Sequence, residues 1–159
     1  VNDTQRELLR HVLATLAYRG GKAVNGAPPG FGETRAAAGS RSAAEILAHI
    51  GDLLDWAESL ARGAQRWQDS APLPWAAEVD RFFAALERLD AALAGEEPLG
   101  SPAARLFQGP LADALAHVGQ LALLRRLAGS PVRGENYFQA DIAAGRVGPV
   151  QAAPRREFD

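Results

Sequence analysis

Four stretches of apolar residues recur at helical spacing along this chain, and together they leave few folds open to it. The first covers residues 3–23, with Leu8, Leu9, Val12, Leu13, Leu16 and Ala17 on one stripe. The second starts at Ser42, where Ser42-Ala43-Ala44-Glu45 spells a capping box, and runs to Arg62 ahead of Gly63. Its stripe is Ile46, Ile50, Leu53, Leu54, Ala57 and Leu60. The third opens at Pro74, a favoured first-turn residue, and carries Trp75, Val79, Phe82, Phe83, Leu86, Leu89 and Leu93 before Gly95. The fourth opens at Gly109-Pro110 and carries Leu111, Leu115, Val118, Leu121, Leu124 and Leu127 before Gly129. β-Branched residues are few and never alternate, so no segment reads as a strand. The expected fold class is all-α, a four-helix bundle.

The connections are long for an up-and-down bundle. About eighteen residues separate the first two helices, including Asn25-Gly26-Ala27-Pro28-Pro29-Gly30; loops of that length are usually functional or disordered. Residues 63–73, fully extended, reach roughly 36 Å. A twenty-residue helix is about 30 Å long. That link is therefore long enough to return along the bundle and leave helices two and three parallel. A short helical turn is expected around Ala103-Ala104-Arg105-Leu106-Phe107. The predicted organisation is a bundle over residues 1–130 and a C-terminal tail over 131–159. The tail carries a short helix at 137–144 and ends on the surface from Val150 onward.

Composition narrows the function. A length of 159 residues suits one domain with a proper core. The chain has no cysteine, which excludes disulfides, thiolate metal sites and a cysteine nucleophile. The net charge of −2 argues against a nucleic-acid partner, because phosphate recognition needs a concentrated basic face. Arg125-Arg126 and Arg155-Arg156 are local pairs only. No stretch approaches the roughly 18 apolar residues that span a bilayer, and Val1-Asn2-Asp3-Thr4 has no signal-peptide pattern. No membrane partner and a cytoplasmic location are expected. One lysine, Lys22, beside sixteen arginines suggests GC-rich bacterial coding.

Chemistry concentrates on two of the three histidines. Asp113 and His117 are four residues apart, close to one helical turn, so they project from one face about 5–6 Å apart. His49 flanks Ile46 and Leu53 in the second helix. Ionisable groups beside apolar stripes need partners, since burying one alone costs several kcal/mol. Two imidazoles and one carboxylate would supply three protein ligands to a divalent ion and leave a position open, as catalytic sites do. The same spacing also serves a surface ion pair, and His49 alone could be a half-buried histidine bonded to a neighbouring helix. Spacing leaves both readings open. Trp56, two turns beyond His49, lines a pocket or packs in the core. Arg125, two turns past His117, meets a substrate anion or the helix C-terminus. Glu135-Asn136-Tyr137-Phe138 in the tail could bring Tyr137 over the bundle mouth. His11, among Thr15, Tyr18 and Lys22, reads as exposed.

The segments Ala48-His49-Ile50-Gly51-Asp52-Leu53-Leu54-Asp55-Trp56 and Ala116-His117-Val118-Gly119-Gln120-Leu121 resemble two signature helices of the DinB/YfiT-like superfamily. In that family a histidine of the second helix joins a His-x-x-x-His of the last bundle helix, whose second histidine commonly precedes a residue, Gly and Gln. His49 matches the first position, and His117 with Val118-Gly119-Gln120 matches the last. Asp113 stands where the family has its middle histidine. The resemblance spans about residues 1–130 and takes in the capping box and the aromatic third helix at Trp75 and Phe82-Phe83.

The resemblance implies an up-down-down-up four-helix bundle with His49, Asp113 and His117 as metal ligands. It implies a metal-dependent enzyme acting on a small molecule, either a low-molecular-weight-thiol transferase or a hydrolase. In the transferase reading the metal stabilises the thiolate. The alternative on the same fold is a non-catalytic stress-response or binding module with a structural metal or none; an oligomerising scaffold is a third reading. Zinc or nickel is favoured for mixed imidazole and carboxylate ligands, and ferrous iron or manganese would also suit. A homodimer is expected.

Overall fold

The computed structural model describes residues 3–158. Val1 and Asn2, part of the expected N-terminal reading and of segment 1–130, and Asp159, the end of segment 131–159, lie outside the described residues. Four long helices dominate: α1 (Asp3–Val24), α2 (Ala43–Ala61), α3 (Trp75–Ala94) and α5 (Ala112–Leu127), with a short α4 (Ala103–Leu106). The all-α expectation holds for the described residues apart from two two-residue strands.

The helix starts follow local chemistry. Ser42 caps α2: its Oγ accepts from the Glu45 N–H at 3.2 Å while Glu45 Oε2 accepts from the Ser42 N–H at 2.6 Å, closing the capping box. Pro74 precedes Trp75, the first residue of α3. The last helical run differs from expectation. It begins after Pro102, not at Gly109, and passes through a π turn, Phe107–Leu111, before α5. Pro110 lies inside that turn. Proline has no N–H and its ring collides with the carbonyl four residues back, so a locally wider turn lets the chain continue.

Packing joins the helices in a square. α2 packs on α3 and α5, and α1 packs on α3 and α5. Pairings along α2 and α3 ascend together: Arg81 meets the Ala48 carbonyl, Asp52 and Asp55, and Arg88 meets Asp55 and Glu58. Those between α1 and α3 run in opposition, Arg6 donating to the Leu93 carbonyl and Arg10 to Asp90. Gly20 meets Phe82 on the same seam, where an added Cβ would lie 2.6 Å from the buried ring. Between α1 and the last helical run the pairs ascend together: Leu9 and Val12 line one groove with Ala103 of α4 and Phe107 of the π turn, and Arg125 of α5 reaches the Ala23 carbonyl. Leu13, Leu16, Ile50, Leu54, Phe82, Leu86, Leu89 and Leu121 fill the centre.

The connections are ordered by side chains the periodicity does not reveal. Residues 25–42 form a 3-10 turn, Phe31–Glu33, and an isolated bridge from Arg35 to Ser42. Phe31 is buried edge-on against Trp75 at 5.0 Å. In the tail the expected helix at 137–144 is a single 3-10 turn, Tyr137–Gln139. The tail also forms the strand pair β1 (Gly134–Glu135) and β2 (Glu157–Phe158), each too short to carry an alternating pattern in the sequence. Glu135 sits opposite Glu157, a like-charge pair that ordinarily repels. Lys22 of α1 resolves it by donating to both carboxylates at 2.8 and 3.0 Å. Residues 150–158 stay at the surface, while Val147 joins the core.

Candidate metal centre

His49 lies mid-way along α2, and Asp113 and His117 lie on the first two turns of α5. The α2–α5 seam brings all three together. Asp113 Oδ2 is 3.7 Å from His49 Nε2, and Asp113 Oδ1 is 3.2 Å from His117 Nδ1. The two imidazole centroids are 4.7 Å apart. One ligand atom from each residue falls within 4.8 Å of the other two, so the group could hold a metal ion.

The donor chemistry suits a divalent ion. Ligands at about 2.0–2.2 Å from an ion lie at most about 4.4 Å from one another, so small side-chain rotations would close the set. His117 Nδ1 lies 2.8 Å from the Asp113 main-chain carbonyl. Donation to that oxygen fixes the tautomer and leaves the Nε2 lone pair for a ligand. Burial, helped by the charges of Arg41 and His117, depresses the His49 pKa against the opposing pull of Asp113. Burial therefore favours the uncharged imidazole of His49, the form that ligates. Its side chain is 17% exposed and that of His117 12%, whereas Asp113 is 48% exposed. The two imidazoles are anchored in the seam and the carboxylate stands at the solvent side.

A third element closes one flank of the site. Trp67, in the connection after α2, stands edge-on to His49 at 5.9 Å and to Trp56 at 5.8 Å. That connection is held against the helices by Asp52, one turn past His49, which accepts from the Ser70 N–H at 2.9 Å and from Arg81. Trp56 packs against the core, and its buried Nε1 has no hydrogen-bond partner among the described residues. Trp67 and Asp52 were not singled out in the sequence. A tryptophan isolated in a polar, aperiodic connection was the available signal for the first. Asp52 lies between apolar neighbours of the α2 stripe, the same anomaly that marked His49.

The other two candidate pocket residues are engaged elsewhere. Arg125 is buried, with Nη1 donating to the Ala23 and Asn25 carbonyls at 3.0 and 2.9 Å and Nε to the Ser130 carbonyl at 2.9 Å. It clamps the end of α1 to the end of α5. Tyr137 packs edge-on against Tyr18 at 6.3 Å, with Arg19 stacked 4.2 Å over its ring. The tail therefore docks on α1, where the buried Glu135 accepts from Tyr18 Oη at 2.7 Å. His11 is exposed, as expected.

No protein-family profile, curated protein or solved structure matches the chain. Among the described residues, no helix is long and apolar enough to cross a membrane.

Proposed function

We propose that this protein is a metal-dependent enzyme of the DinB/YfiT-like kind, acting on a small molecule through His49, Asp113 and His117. The convergence of three donor atoms within 4.8 Å from two helices carries the reading. The parallel ladder of α2 with α3, the opposed one of α1 with α3 and the parallel one of α1 with α5 support the up-down-down-up order that the resemblance implies. A divalent ion held there supplies Lewis acidity, lowering the pKa of a water or thiol ligand or polarising a substrate oxygen. The chain's own contribution is to hold two imidazoles in the seam, place a carboxylate across them and set Trp67 against one flank. The favoured reaction is transfer of a low-molecular-weight thiol to an electrophile; hydrolysis uses the same site with water in place of the thiol.

The second reading is a non-catalytic binding or stress-response module. The half-exposed Asp113, at the position where the resembled family has histidine, favours it. Apolar side chains exposed on α1, the π turn and α5 (Leu8, Phe107, Leu123 and Leu127) support a homodimer, which sedimentation at two concentrations would test.

Elemental analysis decides the metal. Wild-type protein is expected to retain one equivalent of zinc, nickel or iron, and His49→Ala and Asp113→Ala to lose it. Wild type that stays metal-free at sub-micromolar added zinc and nickel overturns the reading. Where metal binds, absence of turnover across paired thiols and electrophiles, and of hydrolysis, favours the binding module.

A further inference from the structure

A small polar cleft opens directly beside His49. It has a volume of about 230 Å³ and is lined by Arg41, Glu45, His49, Asp52, Asp69, Ser70 and Pro72. Arg41, Glu45, His49 and Asp52 follow one another at helical spacing, so α2 with its N-terminal entry forms one wall. Asp69, Ser70 and Pro72 of the connection after α2 form the other. The volume is below the range of roughly 300–1,000 Å³ typical of drug-sized ligands and suits a molecule of amino-acid size.

Most of the charges in this cleft are already answered. Glu45 accepts from the Ser42 N–H and from Arg35 Nη1 at 2.8 Å. Asp52 accepts from Ser70 and Arg81. Two charges are left: among the described residues, no hydrogen bond or ion pair engages the side chain of Arg41 or of Asp69. One unpaired cation sits on the helix wall and one unpaired anion on the connection wall, and the candidate metal ligand His49 lines the same cleft. Arg41 is close enough to His49 for its charge to act on that imidazole.

We propose that this cleft binds the zwitterionic end of a small substrate, with Arg41 taking its carboxylate and Asp69 its ammonium group while the substrate's remaining donor reaches the metal centre. This rests on the metal-enzyme reading and narrows its substrate class to molecules with a free α-amino-acid end. Arg41 can meet a carboxylate with two parallel N–H donors, which fixes orientation as well as charge. Asp69 is the matching acceptor for an ammonium group.

The test compares three thiols by calorimetry, on metal-loaded and on metal-free protein under anaerobic conditions: L-cysteine, cysteamine, which lacks the carboxylate, and 3-mercaptopropionate, which lacks the ammonium group. L-Cysteine is expected to bind about tenfold more tightly than either truncated thiol. Arg41→Ala is expected to bring L-cysteine down to the level of cysteamine and leave cysteamine unchanged, with Arg41→Lys restoring part of the difference. Asp69→Asn is expected to bring L-cysteine down to 3-mercaptopropionate, with metal content unchanged in all three variants. Equal binding of L-cysteine and cysteamine overturns the proposal. So does an Arg41→Ala loss that is the same for both, or no saturable binding of any of the three in either state. Protein that takes up no metal sinks the enzyme reading alone, because the charge preference is still measured on the metal-free form.

Discussion

Asp113 reaches toward both imidazoles with a single carboxylate, one oxygen 3.7 Å from His49 and the other 3.2 Å from His117. Replacing it by histidine keeps three donors and exchanges a hard, half-exposed oxygen for a borderline nitrogen that zinc and nickel prefer. Asp113→His should therefore retain metal stoichiometry and tighten zinc binding, as read by competition with a chromophoric chelator; Asp113→Ala should not. Residue-scale electrostatics also governs the tail. Burial and the bond to Glu135 raise Tyr18 above its ordinary value of 10.0. Burial pulls Lys22 down, but its bonds to Glu135 and Glu157 outweigh that and raise it above 10.5. The folded state holds both protons more tightly than the unfolded chain. Their stabilisation is therefore complete below about pH 10 and lost as pH rises through the raised values. Tyr18→Phe should cost about 1–3 kcal/mol at neutral pH, by leaving a buried carboxylate short of a donor. It should also flatten the alkaline loss of stability, as followed by denaturant unfolding between pH 8 and pH 12.

Each element of the site depends on how its helix is started or held. The capping box sets the first turn of α2, and His49 sits two turns inside it. Ser42→Ala removes the acceptor for the Glu45 N–H and should lower stability by about 1 kcal/mol, seen as a shift in urea midpoint with unchanged slope. The carboxylate of Glu45, held below its ordinary range by the Ser42 N–H and Arg35, should remain ionised in the variant. α5 presents Asp113 on its first turn because the chain enters it from the π turn, already helical. The expected start at Gly109-Pro110 missed this, since proline reads as a first-turn residue and nothing local announces a widened turn that tolerates it. The connection after α2 was legible as long enough to return along the bundle. Its docking through Asp52 and Ser70, which sets Trp67 against His49, was not legible, because the two partners are eighteen residues apart and carry no shared pattern.

Across the whole molecule, a bound ion would tie α2 to α5 and so stabilise the bundle by mass action. Free metal at a hundred times its dissociation constant adds about 2.7 kcal/mol. For a chain of this size that corresponds to a rise of roughly 5–10 °C in Tm. Calorimetry of wild type should show the rise on adding zinc or nickel and its reversal by a chelator; His49→Ala should show neither. Helix existence, stripe identity and the α2 cap were legible in the amino-acid order, because 3.6-residue periodicity and capping chemistry are local. So was the pairing of Asp113 with His117, which one helical turn dictates. The chain order alone could not decide whether that pair was a surface ion pair or part of a larger group. Only the packing of α2 on α5 brought His49 to within 3.7 Å of the carboxylate, and only the tail's docking on α1 drew Glu135, Tyr18 and Lys22 together. Those contacts join residues 64 to 117 positions apart, and their partners are chosen by which apolar faces bury one another and not by any neighbouring residue.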